Sequence, residues 1–220
     1  WIYMISSNFK DRLITSFFLF LLIYLIFKFN FFLVYSLIVL GIFAAIEFSS
    51  ISKKIFVNKL IKILSKIFFI LFIFTFCNLF FILNNVIQFK ILLISLLLGC
   101  IASDVGGFII GKTFRGPKLT KISPNKTISG SIGSFFATYV ILSIIYYYFF
   151  NYHSYKILLI SFFITLGCQI GDLFFSFLKR KAKIKDTGKI FPGHGGVLDR
   201  LDSIFFGLPI GFISLIILLK

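Results

Sequence analysis

The chain has 220 residues, 59% of them hydrophobic, including 34 Phe, with a formal net charge of +16 and a mean hydropathy of +1.05. That load excludes an ordinary water-soluble globular domain and makes lipid the main solvent of the protein. The basic excess would suit a nucleic-acid partner, but its placement along the chain argues against one.

Apolar runs recur at about 13–29, 31–49, 67–83, 91–111, 130–150, 157–178 and 203–219. Each is long enough to cross a hydrocarbon core of about 30 Å as a helix. The expected fold is therefore all-α, a polytopic membrane protein with about seven transmembrane helices. No small-residue cleavage site follows the first run, so it reads as a span and not as a cleaved leader. Lys10 and Arg12 precede the first span. Five lysines (Lys53 to Lys66) lie between the second and third. Lys112, Arg115, Lys118, Lys121 and Lys126 lie between the fourth and fifth, and seven bases from Lys179 to Arg200 between the sixth and seventh. Under the seven-span reading only Lys28, Lys90, Lys156 and Lys220 fall on the other side. The positive-inside rule then puts the N-terminus and the three basic loops in the cytoplasm, where they also attract anionic headgroups. Cys77, Cys100 and Cys168 stand singly in apolar runs without ligand spacing and read as packing residues.

The chain has seven carboxylates: Asp11, Glu47, Asp104, Asp172, Asp186, Asp199 and Asp202. Asp11 beside Arg12 reads as a surface residue. Glu47 falls near the cytoplasmic end of the second span, within reach of the interface. Asp104 and Asp172 lie inside the fourth and sixth spans, eight residues before Lys112 and seven before Lys179. At 1.5 Å per residue each sits about 10–12 Å inside its helix end. Intramembrane carboxylates are costly and mark functional sites by default; a structural ion pair is the competing reading. Their similar depth points to one shared polar cavity. Thr165, Gln169, Asp172, Ser176 and Lys179 follow at helical spacing and form a polar stripe on one face. Gly99, Ser103, Gly107 and Gly111 form a small-residue ridge that lets another helix approach closely.

Gly106 to Thr113 fits the pattern GxxxxGKT. A phosphate-cradling loop of that kind needs a strand before it and a helix after it. Here the match ends a membrane-spanning run, which argues against a nucleotide-binding P-loop.

From Ser176 the chain reads SFLKRKAKIKDTGKIFPGHGGVLDRLDS. Asp186-Thr187-Gly188 is a turn signal, and Pro192-Gly193-His194-Gly195-Gly196 is a bend with exposed backbone. Asp199 and Asp202 share a face if helical, with Arg200 between them. Carboxylates that can hold Mg²⁺, bases that can neutralise phosphate oxygens, and glycines together describe a metal–phosphate site.

This segment resembles the signature of phosphatidate cytidylyltransferases at Ser176, Lys179-Arg180, Lys185-Asp186, Pro192, His194-Gly195-Gly196, Asp199-Arg200 and Asp202. The likeness extends upstream through Ser103-Asp104, Gly106, Gly111, Lys121-Ile122-Ser123-Pro124, Lys126-Thr127, Gly130 and Gly171-Asp172-Leu173, and covers about 99–209. Two departures from the family pattern stand out: Val105 where Thr is usual, and Ile128-Ser129 where Trp-Glu is usual. The chain accordingly divides into N-terminal transmembrane helices (1–90) and a catalytic region (91–220) with cytoplasmic loops 112–129 and 179–202.

The resemblance implies an enzyme that condenses CTP with phosphatidate, giving CDP-diacylglycerol and pyrophosphate for phospholipid synthesis. It implies Mg²⁺ held by Asp172 and Asp199 with Asp202 and Asp104 as further ligands, and admits a second, monovalent cation. Asp172, Asp199, Lys179, Arg180 and Arg200 are the expected catalytic residues. Ser123, Lys126, Lys185, His194, Gly195 and Gly196 are the expected substrate contacts. The expected setting is a bacterial inner membrane, multi-pass, with the site facing the cytoplasm. The expected partners are CTP, phosphatidate and membrane lipids, with no nucleic acid; a homodimer is compatible with the sequence. Two alternatives stay open: a relative that activates a different lipid phosphate, and a cation transporter using Asp104 and Asp172 as a relay.

Overall fold

A computed structural model describes Leu21 and residues 29–84, 86–120, 122–124, 126–152, 154–188 and 195–219. The first expected span lies almost entirely outside these residues, as does His194. Among the described residues there are six long helices: α1 (Asn30–Ile55), α2 (Lys59–Asn84), α3 (Ile87–Phe114), α4 (Ile128–Phe150), α5 (Lys156–Lys181) and α6 (Leu198–Leu219). All six contain stretches long and apolar enough to cross a membrane. They correspond one for one to the second to seventh runs read from the sequence.

The helices begin or end beyond the apolar runs because charged residues continue them. Lys53 and Lys54 lie in the last turn of α1, where cations complement the helix dipole. Lys59, Lys62 and Lys66 lie on α2 itself, not in a loop. The linker is short, and Asn58 caps α2 by accepting from the Leu60 N–H at 2.9 Å.

The chain forms two compact units. The first comprises Trp1–Asn84 with Leu178–Arg200 and the second Asn85–Phe177 with Leu201–Lys220. In the first unit α1 packs on α2. Phe48 stacks on Phe69 with centroids 3.9 Å apart, and the Ser52 and Ser65 hydroxyls hydrogen-bond at 2.7 Å. These polar side chains pair with each other because lipid offers them no partner.

In the second unit α3 and α4 pack along a glycine seam. A methyl group built on Gly106 would meet Ala137 and, at 2.9 Å, the Gly133 carbonyl. One on Gly130 would meet the Gly107 carbonyl at 2.8 Å. The expected ridge is therefore a helix–helix seam, with Gly106 added to it and Gly130 and Gly133 facing it. α5 and α6 meet along a second seam, where Gly167 approaches the Gly207 backbone and Gly171 the Asp202 carbonyl. In the first unit Gly195 has φ +84, a left-handed conformation that glycine alone adopts without cost.

Gly106 to Thr113 lies wholly within α3, with no strand before it, so its backbone N–H groups are spent inside the helix and cannot cradle phosphate. The Thr113 hydroxyl donates to the Ile109 carbonyl at 2.8 Å. Thr113→Val is therefore expected to leave any nucleotide-dependent activity within about twofold of wild type, since the side chain is exposed and bonds only its own helix. Activity assays on the variant check this; a P-loop would lose its cation-binding hydroxyl and most of its rate.

Candidate active site

The second unit holds a cavity of about 520 Å³. Asp104, Lys112, Lys126 and Asp172 carry its charge, and Ser123, Ser131 and Gln169 are among its polar lining. Asp104 comes from α3 and Asp172 from α5, so the shared cavity expected for the two carboxylates is present. The Lys126 ammonium contacts Asp172 Oδ2 at 2.5 Å. Asp104 Oδ2 accepts from the Ser203 hydroxyl at 2.7 Å. A buried-edge ion pair of this kind is held by geometry, and breaking it strands a charge.

Lys126 owes its position to the loop that follows α3. The Leu119 N–H donates to the Lys126 carbonyl at 2.8 Å and the Ile128 N–H to the Pro117 carbonyl at 3.0 Å. Lys118 and Thr127 form an antiparallel bridge. The loop thus returns as a narrow hairpin that delivers Lys126 to the start of α4. Thr127 then caps α4, its hydroxyl accepting from the Gly130 N–H at 3.1 Å. Ser129, one of the two departures from the family pattern, donates to the Arg115 carbonyl and bonds the Thr127 hydroxyl at 3.0 Å. It fastens the hairpin to the start of α4.

The polar stripe of α5 faces α4 as its composition requires. The Thr165 hydroxyl lies 3.3 Å from that of Thr138. Gln169 Oε1 accepts from the Ser131 hydroxyl at 2.7 Å. Asp172 continues the stripe to Lys126. Thr165, Gln169 and Asp172 each find a protein partner, which is the condition for carrying them inside a lipid-soluble helix.

The first unit holds a second polar cluster around Asp199. Lys179 donates to Asp199 Oδ1 at 2.7 Å. Asp199 Oδ2 accepts from the Thr187 N–H at 2.8 Å and the Gly196 N–H at 3.1 Å, and the Thr187 hydroxyl lies 3.0 Å from it. Both carboxylate oxygens are engaged by the loop and by Lys179. Asp199 stands in the first turn of α6, where a negative charge suits the helix dipole.

Glu47 belongs to the same cluster and was not legible as a site residue. It is 4% exposed and does not reach outward to the interface. Its carboxylate accepts from the Thr187 hydroxyl at 2.7 Å, the Val197 N–H at 3.0 Å and the Leu198 N–H at 2.9 Å. The available signal was its rarity, one of seven acids in a strongly apolar chain.

Of the expected site residues, Asp104, Ser123, Lys126 and Asp172 line the cavity. Lys179, Gly195, Gly196 and Asp199 form the loop cluster. Asp202 is half-buried on α6, its Oδ1 accepting from the Ser203 N–H at 3.0 Å. Arg180, Lys185 and Arg200 are exposed in the first unit. Among the described residues no three His, Cys, Asp or Glu side chains converge as a ready-made metal cage. Cys100 and Cys168 are free and buried, in keeping with a packing role.

Helices of this length and apolarity, carrying charged side chains into an internal cavity, define a polytopic membrane protein whose polar chemistry is built on its helices. The chain belongs to the cytidylyltransferase family, whose model matches residues 1–218. A phosphatidate cytidylyltransferase of Helicobacter pylori (strain ATCC 700392 / 26695) is 46% identical over 115 residues, 52% of this chain and 43% of that protein. One of Staphylococcus aureus (strain COL) is 43% identical over 116 residues, 52% of this chain and 45% of its own length. One of Rickettsia typhi is 47% identical over 130 residues, 54% of this chain and 57% of that protein. The chain spans about half the length of the curated relatives it matches.

Proposed function

We propose that this protein condenses CTP with phosphatidate to give CDP-diacylglycerol and pyrophosphate. The observation that carries the reading is the cavity with Asp104, Lys126 and Asp172 on its wall, in a chain of the cytidylyltransferase family. An oxygen of the lipid phosphate attacks the α-phosphorus of CTP, and the bond from that phosphorus to the bridging oxygen breaks. Pyrophosphate leaves with the bonding pair. The attacking oxygen is already anionic, so no protein nucleophile or general base is required. The protein has only to position two polyanions and offset the charge that repels them.

Lys126 faces the cavity and supplies positive charge beside Asp172. Asp104 and Asp172 are hard oxygen donors on one cavity, and they fit a divalent cation that keeps part of its water and takes the rest of its shell from substrate. Asp104 and Asp172 would hold Mg²⁺, which would supply positive charge against the charge that develops on phosphate. We assign Asp199 to orienting Lys179, whose ammonium is a further positive group for phosphate. Arg180, Lys185 and Arg200 are exposed bases suited to meeting the triphosphate or the lipid headgroup.

The basic ends of α1, α2, α3 and α5 support an orientation with these loops in the cytoplasm of a bacterial inner membrane, the side that supplies CTP. The lipid is taken to keep its tails in the bilayer while its phosphate enters the cavity.

Membranes containing the chain, given labelled CTP and phosphatidate over a range of Mg²⁺, are expected to form a CDP-lipid and release pyrophosphate. Activity with another lipid phosphate and none with phosphatidate would move the reading to a sister reaction. Cation flux that Asp104→Asn abolishes and Asp199→Asn spares, without CDP-lipid, would replace it with a transporter.

A further inference from the structure

Glu47 lies on α1, far upstream of the 176–202 signature, yet the first unit brings its carboxylate into the middle of that segment's fold. The carboxylate is almost fully buried and accepts three hydrogen bonds, all from the segment: the Thr187 hydroxyl and the Val197 and Leu198 N–H groups. The last two are backbone donors that the first turn of α6 leaves without intrahelical partners. Glu47 therefore ends the loop and starts the helix.

We infer that Glu47 is a positioning residue for Asp199 and Lys179, acting through Thr187. The Thr187 hydroxyl carries one proton and lies 2.7 Å from Glu47 Oε2 and 3.0 Å from Asp199 Oδ2. Its N–H donates to the same Asp199 oxygen at 2.8 Å. Glu47 thus fixes the rotamer of Thr187, the Thr187 N–H holds Asp199 Oδ2, and Asp199 holds the Lys179 ammonium at 2.7 Å.

Two glycines of the segment, Gly188 and Gly196, lie against the same carboxylate. A methyl group on Gly188 would collide with Glu47 Oε1. One on Gly196 would fall 2.5 and 2.6 Å from the two Glu47 oxygens. Gly196 leaves room for the Glu47 carboxylate and the Thr187 hydroxyl, both of which a methyl group there would meet.

This inference rests on the proposed reaction for its kinetic arm alone. Glu47→Gln replaces one acceptor oxygen with an N–H donor aimed at donors, which loosens the loop. Trypsin cleavage after Lys183 and Lys185 is expected to become roughly tenfold faster, because the local opening now leaves fewer bonds to break. Cleavage after Lys118, in the other unit, should stay at the wild-type rate. In CDP-lipid assays kcat should fall about 10- to 100-fold, as for groups that orient a functional side chain, with KM for CTP within about twofold. Glu47→Asp, which keeps the charge on a shorter stem, should recover part of both effects. Gly196→Ala should reproduce the Glu47→Gln pattern.

Wild-type cleavage and kcat in Glu47→Gln would overturn the inference. So would equally faster cleavage after Lys118, which would make Glu47 a support of the whole fold. If the wild-type chain forms no CDP-lipid the proposed reaction fails, and the cleavage pattern of Glu47→Gln and Glu47→Asp still decides whether Glu47 positions the loop.

Discussion

Asp172→Asn is expected to lower CDP-lipid formation about 10²–10³-fold, the range found when a preorganised charge facing a reacting group is removed. The substitution keeps the size of the side chain and its place on the α5 stripe. It removes the charge that Lys126 contacts at 2.5 Å and one of the two carboxylates on the cavity. Asp104→Asn should act in the same direction and shift the Mg²⁺ dependence to higher concentration. The double variant Asp172→Asn with Lys126→Met separates function from structure. If the pair served only to hold α5 to the hairpin, removing both partners would restore much of the loss, because no charge is stranded. The proposed role predicts that the double variant stays as slow as the single one. Steady-state rates in purified, reconstituted protein measure this, with a melting curve in detergent confirming that each variant is folded.

Gly106→Ala is expected to destabilise the second unit by about 1–3 kcal/mol, the usual cost of adding a methyl group to a full interface. The added carbon would meet Ala137 and, at 2.9 Å, the Gly133 carbonyl, neither of which can rotate away. Gly99→Ala, on the same helix two turns earlier, meets only side-chain atoms of Leu142, Thr138 and Ile164 at 3.6–3.7 Å. That is ordinary contact, and the cost should stay within about 0.5 kcal/mol. Thermal unfolding of the two variants in the same detergent gives the comparison. The seam also bears on the site, since α3 carries Asp104 and the start of α4 carries the end of the Lys126 hairpin. Gly106→Ala should therefore lose activity before it loses its helices.

The sequence made the helices legible because apolar length is a one-dimensional signal: six of the seven runs reappear as α1 to α6. It made the α5 stripe legible because helical spacing alone sets which residues share a face. The partners of that stripe were not legible. Gln169 meets Ser131 and Asp172 meets Lys126 through the packing of α5 beside α4 and the return of the 115–127 hairpin, and neither follows from periodicity. The Gly99–Gly111 ridge was visible at intervals of four. Gly106, one residue off that register, leaves no room for a methyl group because the facing helix presents Ala137 and the Gly133 carbonyl there. Glu47 was the largest omission. Its distance in sequence from the signature hid it, and a carboxylate near a helix end reads as interfacial until a fold supplies three buried donors. The expected roles of Asp199 as a metal ligand and of Gly196 as a ligand-facing glycine came from the same residue types. In the structure Asp199 also takes the loop's own hydrogen bonds, and the Glu47 carboxylate lies against Gly196. The polar types were legible, and which partner each takes was not.

The most direct test uses two labelled forms of CTP in vesicles that contain the purified chain, phosphatidate and Mg²⁺. With the label on the α-phosphate, radioactivity is expected to enter the lipid. With the label on the γ-phosphate, it is expected to leave as pyrophosphate and not to enter the lipid. Both transfers should fail in Asp172→Asn. A γ-label found in the lipid, or no transfer of either label by folded wild-type protein, would contradict the account.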